Sequence, residues 1–394
     1  MLFFHAILAQ IMEVCHFILV LLVLGFQAMA QNCPQGVCYG GTFSAKTRRD
    51  GQYLTGVSYK NLTKVLHAQG CFSACVNECR CKSYQVSKTG CELLDMDSSE
   101  KPLEANSDYA YFDLLQNIVP SAAYLAKPAE CRNGCCLSNP CLNGGKCTEQ
   151  CNHPKAKFAC ACPSHTTGRF CQHFTPKSCF DFYKAPKATS KPARGVYTVF
   201  KKDNITQFKV YCDFTSPKKA WTLIESYAYK YISEFKRKAF LEDYPINEAT
   251  PEIHARFRLS REKMKLIRST AVSYRATCKF LTRANVTSRD YMEGRLSVFD
   301  IIEETCEYSC CKTMTYIDIV GHQCTGCALQ LLHKRAGTYS WHVHVMPGIA
   351  CSFNAYRLFD ENTELFGFYN PSTPTFLCTD SEDSTTEFWL GHET

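Results

Sequence analysis

Residues 136–171 read CLSNPCLNGGKCTEQCNHPKAKFACACPSHTTGRFC, and the rest of the chain is best read outward from this stretch. About forty residues cannot bury an adequate core, so a segment this dense in cysteine must be held by bridges, with Gly144 and Gly145 supplying a tight turn. The density persists on both sides. Of 27 cysteines, Cys15 lies in an apolar N-terminal run, and 27 less one leaves an even set of 26. Such a set belongs in an oxidising compartment, since a cytosolic chain would need these thiols reduced or bound to metal. At 394 residues the chain suits two to four domains.

The N-terminus points to export. The apolar run from Phe17 to Phe26 ends in the small-residue pattern Ala28, Met29, Ala30, which predicts a signal peptide over 1–30 cleaved after Ala30. The run is about half of the roughly 20 residues a spanning helix requires, so a removed signal is expected rather than an anchor. No Lys or Arg precedes it and Glu13 does; a start at Met12 would give a more compact signal. No later stretch is long and apolar enough to serve as a transmembrane anchor. Export gives meaning to three Asn-x-Thr sequons, at Asn61, Asn204 and Asn285, which are expected to be glycosylated and at the surface. The formal charge of +7 is modest, and no Lys/Arg block approaches a nucleic-acid tract. A solvated basic face accounts for that charge; a weak attraction to anionic glycans or cell surfaces is the alternative.

Upstream of the opening stretch, Cys71, Cys75 and Cys79 recur every fourth residue, which on a helix puts them on one face. Cys81 opens a β-like run over Lys82, Ser83, Tyr84, Gln85 and Val86, and Cys91 begins another with Glu92, Leu93 and Leu94. The arrangement CxxxC, CKSY, CEL over residues 31–115 resembles the apple/PAN family, in which a helix is bridged onto a curved antiparallel sheet. The resemblance implies the pairs Cys71–Cys91 and Cys75–Cys81. Cys79 is additional to that pattern and leaves the pairing of Cys33 and Cys38 open. Residues 116–130, with Pro120, Pro128 and no cysteine, read as a linker.

The stretch quoted at the outset, taken as residues 131–172, resembles an EGF-like module through PCxNGGxC, CxCP and GxxC. That resemblance implies Cys136–Cys147, Cys141–Cys160 and Cys162–Cys171. Cys131, Cys135 and Cys151 fall outside the set. The first module holds seven cysteines, so one of them must find a partner elsewhere, and the arithmetic predicts a covalent tie between the two modules. The residues before the first module cysteine lack the paired carboxylates that calcium requires, so no calcium is expected there.

Downstream, Gly195-Val-Tyr, then Phe208, Lys209, Val210, Tyr211, Cys212, Asp213, and then Trp221, Thr222, Leu223, Ile224 alternate apolar and polar residues on both sides of Asp203 and Asn204, which reads as a hairpin. This order resembles the start of fibrinogen C-terminal domains and implies Cys179–Cys212, with residues 173–394 as a divergent fibrinogen-like domain. Its tryptophan-rich block and acidic calcium loop are missing. Leu259 to Ile267 has helical spacing with Ser260 as N-cap, and strand-like stretches surround Trp341, Phe353 and Phe366. Eight cysteines follow Cys212, with pairings left open. RATCKF, GHQCTGC and the terminal TTEFWLGHE are similar to divergent fibrinogen-related domains of cnidarian secreted proteins, and the module order resembles proteins of coral skeletal organic matrix.

Candidate chemistry is sparse. His322, Cys324 and Cys327, with His342 and His344 further on, would suit zinc. Read as half-cystines and as histidines on one side of an edge strand, whose double replacement by Ala folding should tolerate, they need no metal. No GxSxG elbow is present, and a free nucleophilic thiol would leave an odd count. Asp380, Glu382 and Asp383 read as a flexible, solvated end. The expected fold class is therefore disulfide-rich and modular, mostly β with α+β modules: an apple-like sheet plus helix, EGF-like hairpins and a fibrinogen-like α+β domain. The expected function is non-catalytic, without cofactor or metal: an adhesive or scaffolding protein of extracellular matrix, including that of calcified skeleton, whose partners are matrix proteins or glycans and not nucleic acid. A soluble fibrinogen-related recognition lectin of innate defence is the alternative, and an EGF-type receptor ligand a third class.

Overall fold

The structure is a computed structural model that describes residues 42–117, 133–150, 155–184, 192–281, 290–335, 341–345, 351–353, 363–369 and 375–393. The expected signal peptide, residues 118–130 of the expected linker, Cys33, Cys38, Cys131, Cys151 and Asn285 lie outside the described residues. The chain is mostly β and disulfide-rich, and it divides into two compact units: residues 1–163 with 168–172, and residues 164–167 with 173–394. Eleven cysteine pairs lie at bonding distance among the described residues.

In the N-terminal unit the strands are β1 (Thr42–Ala45), β2 (Arg49–Tyr53), β3 (Ser58–Leu62), β4 (Ser83–Ser87), β5 (Gly90–Leu94) and β6 (Glu104–Asn117), with helix α1 (Ala68–Asn77) between β3 and β4. They form an antiparallel sheet in the order β1-β6-β4-β5-β3, with β2 also on β6. Alternation along β4 and β6 sends Tyr84 and Phe112, which are register partners, to one face, where their rings stack at 4.9 Å. Cys71, Cys75, Cys81, Cys91, Leu93 and Leu114 join them in the core under the helix. A second hairpin, β7 (Lys146–Glu149) with β8 (Phe158–Ala161), belongs to the same unit.

Helix α1 starts at His67, whose ring Nδ1 accepts the Gly70 N–H at 3.0 Å. It ends before Cys79, which corrects the expectation that three cysteines share its face: Glu78 is already extended. A lysine from outside the helix meets the carbonyls freed at this end. Lys157, fully buried just before β8, points its ammonium into the helix C-terminus and donates to Cys75 O at 2.7 Å, Val76 O at 3.0 Å and Glu78 O at 2.6 Å. Terminal carbonyls have no partner within a helix, and a cation there meets both their lone pairs and the helix dipole. Cys79, released from the helix face, pairs with Cys135.

The C-terminal unit contains β9 (Thr166–Thr167), β10 (His173–Phe174), α2 (Cys179–Tyr183), β11 (Gly195–Phe200), β12 (Gln207–Asp213), β13 (Lys219–Ala228), α3 (Ile232–Phe235), β14 (Arg256–Arg258) and α4 (Arg261–Arg268). These are followed by β15 (Ser273–Cys278), β16 (Tyr291–Arg295), β17 (Cys306–Ile319), β18 (His322–Thr325), β19 (Ala328–His333), β20 (Trp341–Val345), β21 (Thr363–Leu365) and β22 (Thr385–Glu393). The main sheet runs β11-β12-β13-β22-β15-β16-β17-β19-β20-β21, with β14 on β13 and β18 on β17. Every pairing is antiparallel.

Strand β22 is the centre of this sheet, buried on both faces from Thr385 to His392. That overturns the expectation of a flexible end. The acidic residues before it remain exposed to solvent but are tied to the unit: Asp380 accepts from Ser384 Oγ and pairs with Lys279, and Asp383 pairs with Lys230 at 2.7 Å. Gly391 lacks a side chain because the Trp221 ring lies where a Cβ would be. Beside it the buried Arg275 guanidinium pairs with Asp213 at 2.9 Å and lies 4.2 Å from the Phe280 ring centroid and 4.5 Å from those of Trp221 and Trp389. A desolvated charge persists only when paired and walled in this way. The Trp389 indole N–H donates to Thr277 Oγ1 at 3.1 Å, which closes the cluster.

Two measurements test these roles. Trp389→Ala should cost about 3–5 kcal/mol, whereas Val196→Ala on the outer strand β11 should cost about 1 or less, read as the loss of thermal stability of the C-terminal unit; equal losses would contradict the central position of β22. For Lys157, burial lowers the ammonium pKa from 10.5 to about 7, with Arg169 acting in the same direction and Glu78 against it. Above that pH the folded chain holds a neutral amine that still donates to two of the three carbonyls, while the unfolded chain keeps the proton, so stability should rise with pH from 7 to 9. Lys157→Met should lower stability by about 1–3 kcal/mol through orphaned carbonyls and remove this rise; an unchanged pH profile would contradict the assignment.

Candidate functional site

The hairpin tip between β11 and β12 and the exposed side of α4 enclose an open cleft of about 400 Å³, lined by Lys201, Lys202, Asp203, Glu262, Lys263, Lys265 and Leu266. Each side is fixed locally. At the tip, Asp203 accepts the Ile205 and Thr206 backbone N–H groups, both at 2.9 Å, and the Thr206 hydroxyl at 2.6 Å. Those bonds, the hydroxyl first, hold its carboxyl down at about 2. Asn204 takes the left-handed conformation this turn needs, φ 59°. Lys177 buttresses the tip from below, donating to Lys201 O at 2.6 Å and to Asn204 Oδ1.

On the other side, α4 begins after Ser260, the predicted N-cap, but the hydroxyl does not cap it. The first N–H groups go instead to carboxylates from the preceding loop, Ser260 N to Glu248 and Arg261 N to Asp243 at 2.7 Å. Met264 and Ile267 bury the inner face of α4, while Lys265 is exposed and Lys263 is largely covered. Lys263 lies 5.3 Å from the Phe208 ring centroid and pairs with Glu248 at 2.8 Å. Lys265 pairs with Glu303 at 2.9 Å.

The cleft lining thus holds four lysines and two carboxylates; Lys201 pairs with Glu262, Lys263 with Glu248 and Lys265 with Glu303, and Lys202 makes no ion pair among the described residues. Glu262 raises the Lys201 pKa through a hydrogen bond at 2.8 Å. Glu262 is 71% exposed, and a pair so open to water is worth little. An incoming anion can therefore replace Glu262 at small cost. The cleft provides a charged rim, an apolar floor at Leu266 and lysine stems, which suits binding of an anion on an extended carrier.

The structure brings together Cys71 with Cys91, Cys75 with Cys81, Cys136 with Cys147, Cys141 with Cys160, Cys162 with Cys171 and Cys179 with Cys212. It also joins Cys278 to Cys378, Cys306 to Cys310, Cys311 to Cys351 and Cys324 to Cys327. Asn61 is exposed on β3, and Asn204 stands beside the cleft. The histidines require a correction. Strand β20 is flanked by β19 and β21, so His342 and His344 are not on an edge; His342 is buried, and its replacement by Ala would leave a cavity that folding cannot ignore. His344 faces Glu364 across the strands, and burial raises that carboxyl to about 7. No cluster of three metal-ligating side chains occurs among the described residues.

Sequence reasoning missed the cleft because its lysines lie some sixty positions apart and read singly as solvated charge. It also missed Lys157, which resembles any surface lysine until the helix end is placed against it. Dense disulfides fit a secreted or extracellular protein, and no helix among the described residues is long and apolar enough to cross a membrane. Comparison of the chain with protein-family models, curated proteins and solved structures finds no match.

Proposed function

We propose that this chain is a secreted, non-catalytic adhesive or scaffolding protein of extracellular matrix, built from an apple/PAN-like module, an EGF-like module and a divergent fibrinogen-like domain, and that it binds polyanionic glycans. The observation that carries the reading is the cleft between the β11–β12 tip and α4, with Lys201, Lys202, Lys263 and Lys265 on its walls. Sulfate or carboxylate groups repeated along a glycan meet such lysines in series, while the sugar faces lie along Leu266 and the lysine stems. Net positive charge fits a role in organising an acidic or mineralised matrix better than one in ordering mineral directly, which asks for dense carboxylates. The lectin reading has less support, since no acidic calcium loop accompanies the cleft among the described residues.

Immobilised heparin serves as the test probe. Wild-type protein should bind with an affinity that falls steeply between 0.05 and 0.5 M salt, on the order expected when exposed charges are screened. Lys201→Ala with Lys202→Ala should weaken binding about tenfold or more at near-equal thermal stability, and enzymatic removal of N-linked glycans should leave it equal or stronger. Undiminished binding by the double variant, or preference for a neutral glycan, would reject the cleft as the site.

A further inference from the structure

We propose that Cys324 and Cys327 form an exchangeable disulfide, a site for thiol–disulfide exchange whose substrate class is an accessible cysteine thiolate, carried by a small peptide or by another extracellular protein. The inference is independent of the glycan cleft. It rests on three observations that coincide at this pair; Cys136–Cys147 is likewise half-buried at both ends but closes a loop of 11 positions. The two residues are separated by three positions, against 40 for Cys311–Cys351 and 100 for Cys278–Cys378. A bridge constrains the unfolded chain by the loop it closes, so this one adds least to the fold. Its position is peripheral. Strand β18 lies off the path of the main sheet and pairs with β17 alone among the described residues, and the turn after it, at Thr325 and Gly326, is exposed. Both cysteines are half-buried: Cys327 packs on one side against the core, and its Sγ lies beside the carbonyl of the exposed Thr325.

The other short bridges differ on these points. Cys75 and Cys81 are wholly buried beneath α1, Cys171 of the Cys162 pair is buried, and Cys306 lies in the core within the strand that pairs with β19. Opening any of them exposes packed core. Opening Cys324–Cys327 leaves the β17–β18 pairing from Tyr316/Thr325 to Ile319/His322 in place.

The exchange is balanced without a further oxidant. An attacking thiolate bonds to Cys327 Sγ, the Cys324–Cys327 bond breaks, and Cys324 leaves as a thiolate that takes up a proton. That proton comes from solvent, to which both residues of the turn between the cysteines, Thr325 and Gly326, are exposed. The product is a mixed disulfide between the chain and its partner, a covalent cross-link that reverses when Cys324 attacks back.

Oxidised full-length protein is incubated with biotinylated reduced glutathione in one arm and with a reduced protein bearing one exposed cysteine in the other; remaining thiols are then alkylated and the peptides mapped by mass spectrometry. The mixed disulfide should appear at Cys327 with alkylated Cys324, at least ten times faster than at any other bridge, with the other pairs intact. Labelling in the glutathione arm alone makes the substrate a small thiol; labelling in both arms extends it to proteins. The paired Cys324→Ser and Cys327→Ser variant should be secreted and take no label. Label arriving first at another pair, spread evenly over several, absent from both arms, or undiminished in the double variant would overturn the proposal, and the mapping on wild-type protein decides the matter even if the variant fails to fold.

Discussion

Strand β22 enters between β13 and β15 after every other strand of the C-terminal unit has been made, and until it does the main sheet is in two pieces, because β13 and β15 do not pair with each other among the described residues. The buried charge at its side makes the dependence mutual. Asp213 comes from β12, Trp221 from β13, Arg275 from β15 and Trp389 from β22, so the guanidinium is paired and walled only when all four strands are in register. Half of that arrangement is worse than none, since an unpaired buried cation costs more than the completed pair returns. Contacts of this length in sequence are slow to form, and they leave the edges of β13 and β15 open while the chain waits.

The N-terminal unit solves the opposite problem. Its bridges close short loops, six positions for Cys75–Cys81 and nine for Cys162–Cys171, and each small piece is held locally. What makes these pieces one unit is a set of contacts on the end of α1: the Cys79–Cys135 bridge, the Lys157 ammonium among the helix carbonyls, and Arg169, which donates to Arg80 O at 3.1 Å and Asp95 O at 2.8 Å. Arg80 in turn lies between the rings of Tyr59 and Phe170, 4.6 and 4.5 Å from their centroids. Cations cap the helix terminus and stack on aromatic faces, so the basic character of the chain is partly internal.

The sequence was most informative where chemistry is local. Cysteine spacing located the bridged hairpins and helix, alternation around Asp203 located the β11–β12 turn, and the odd count in the first cysteine cluster required a partner outside it. Reading failed where a residue's meaning depends on a distant neighbour. The acidic run before Thr385 has the composition of a tail, yet Lys230 and Lys279 hold it against the body. His342 lies on a short strand of no strong pattern, and its burial follows from flanking strands on both sides. Fourfold spacing carried the helix one turn too far because the periodicity of Cys71, Cys75 and Cys79 cannot register the lysine that meets its end.

Together these features describe a chain whose covalent framework and buried cations fix two units while leaving a lysine-walled cleft and one peripheral bridge open to solvent. The framework is the premise of that description, and Cys79 is its most exacting member because local spacing does not suggest its partner. A non-reducing peptide map of the fully oxidised protein, read by mass spectrometry, measures it directly. The account predicts a linked peptide pair joining Cys79 to Cys135, with Cys71 linked to Cys91 and Cys75 to Cys81 and no free thiol at any of the six. Cys79 found free, or linked to Cys71, Cys75, Cys81 or Cys91, would contradict it.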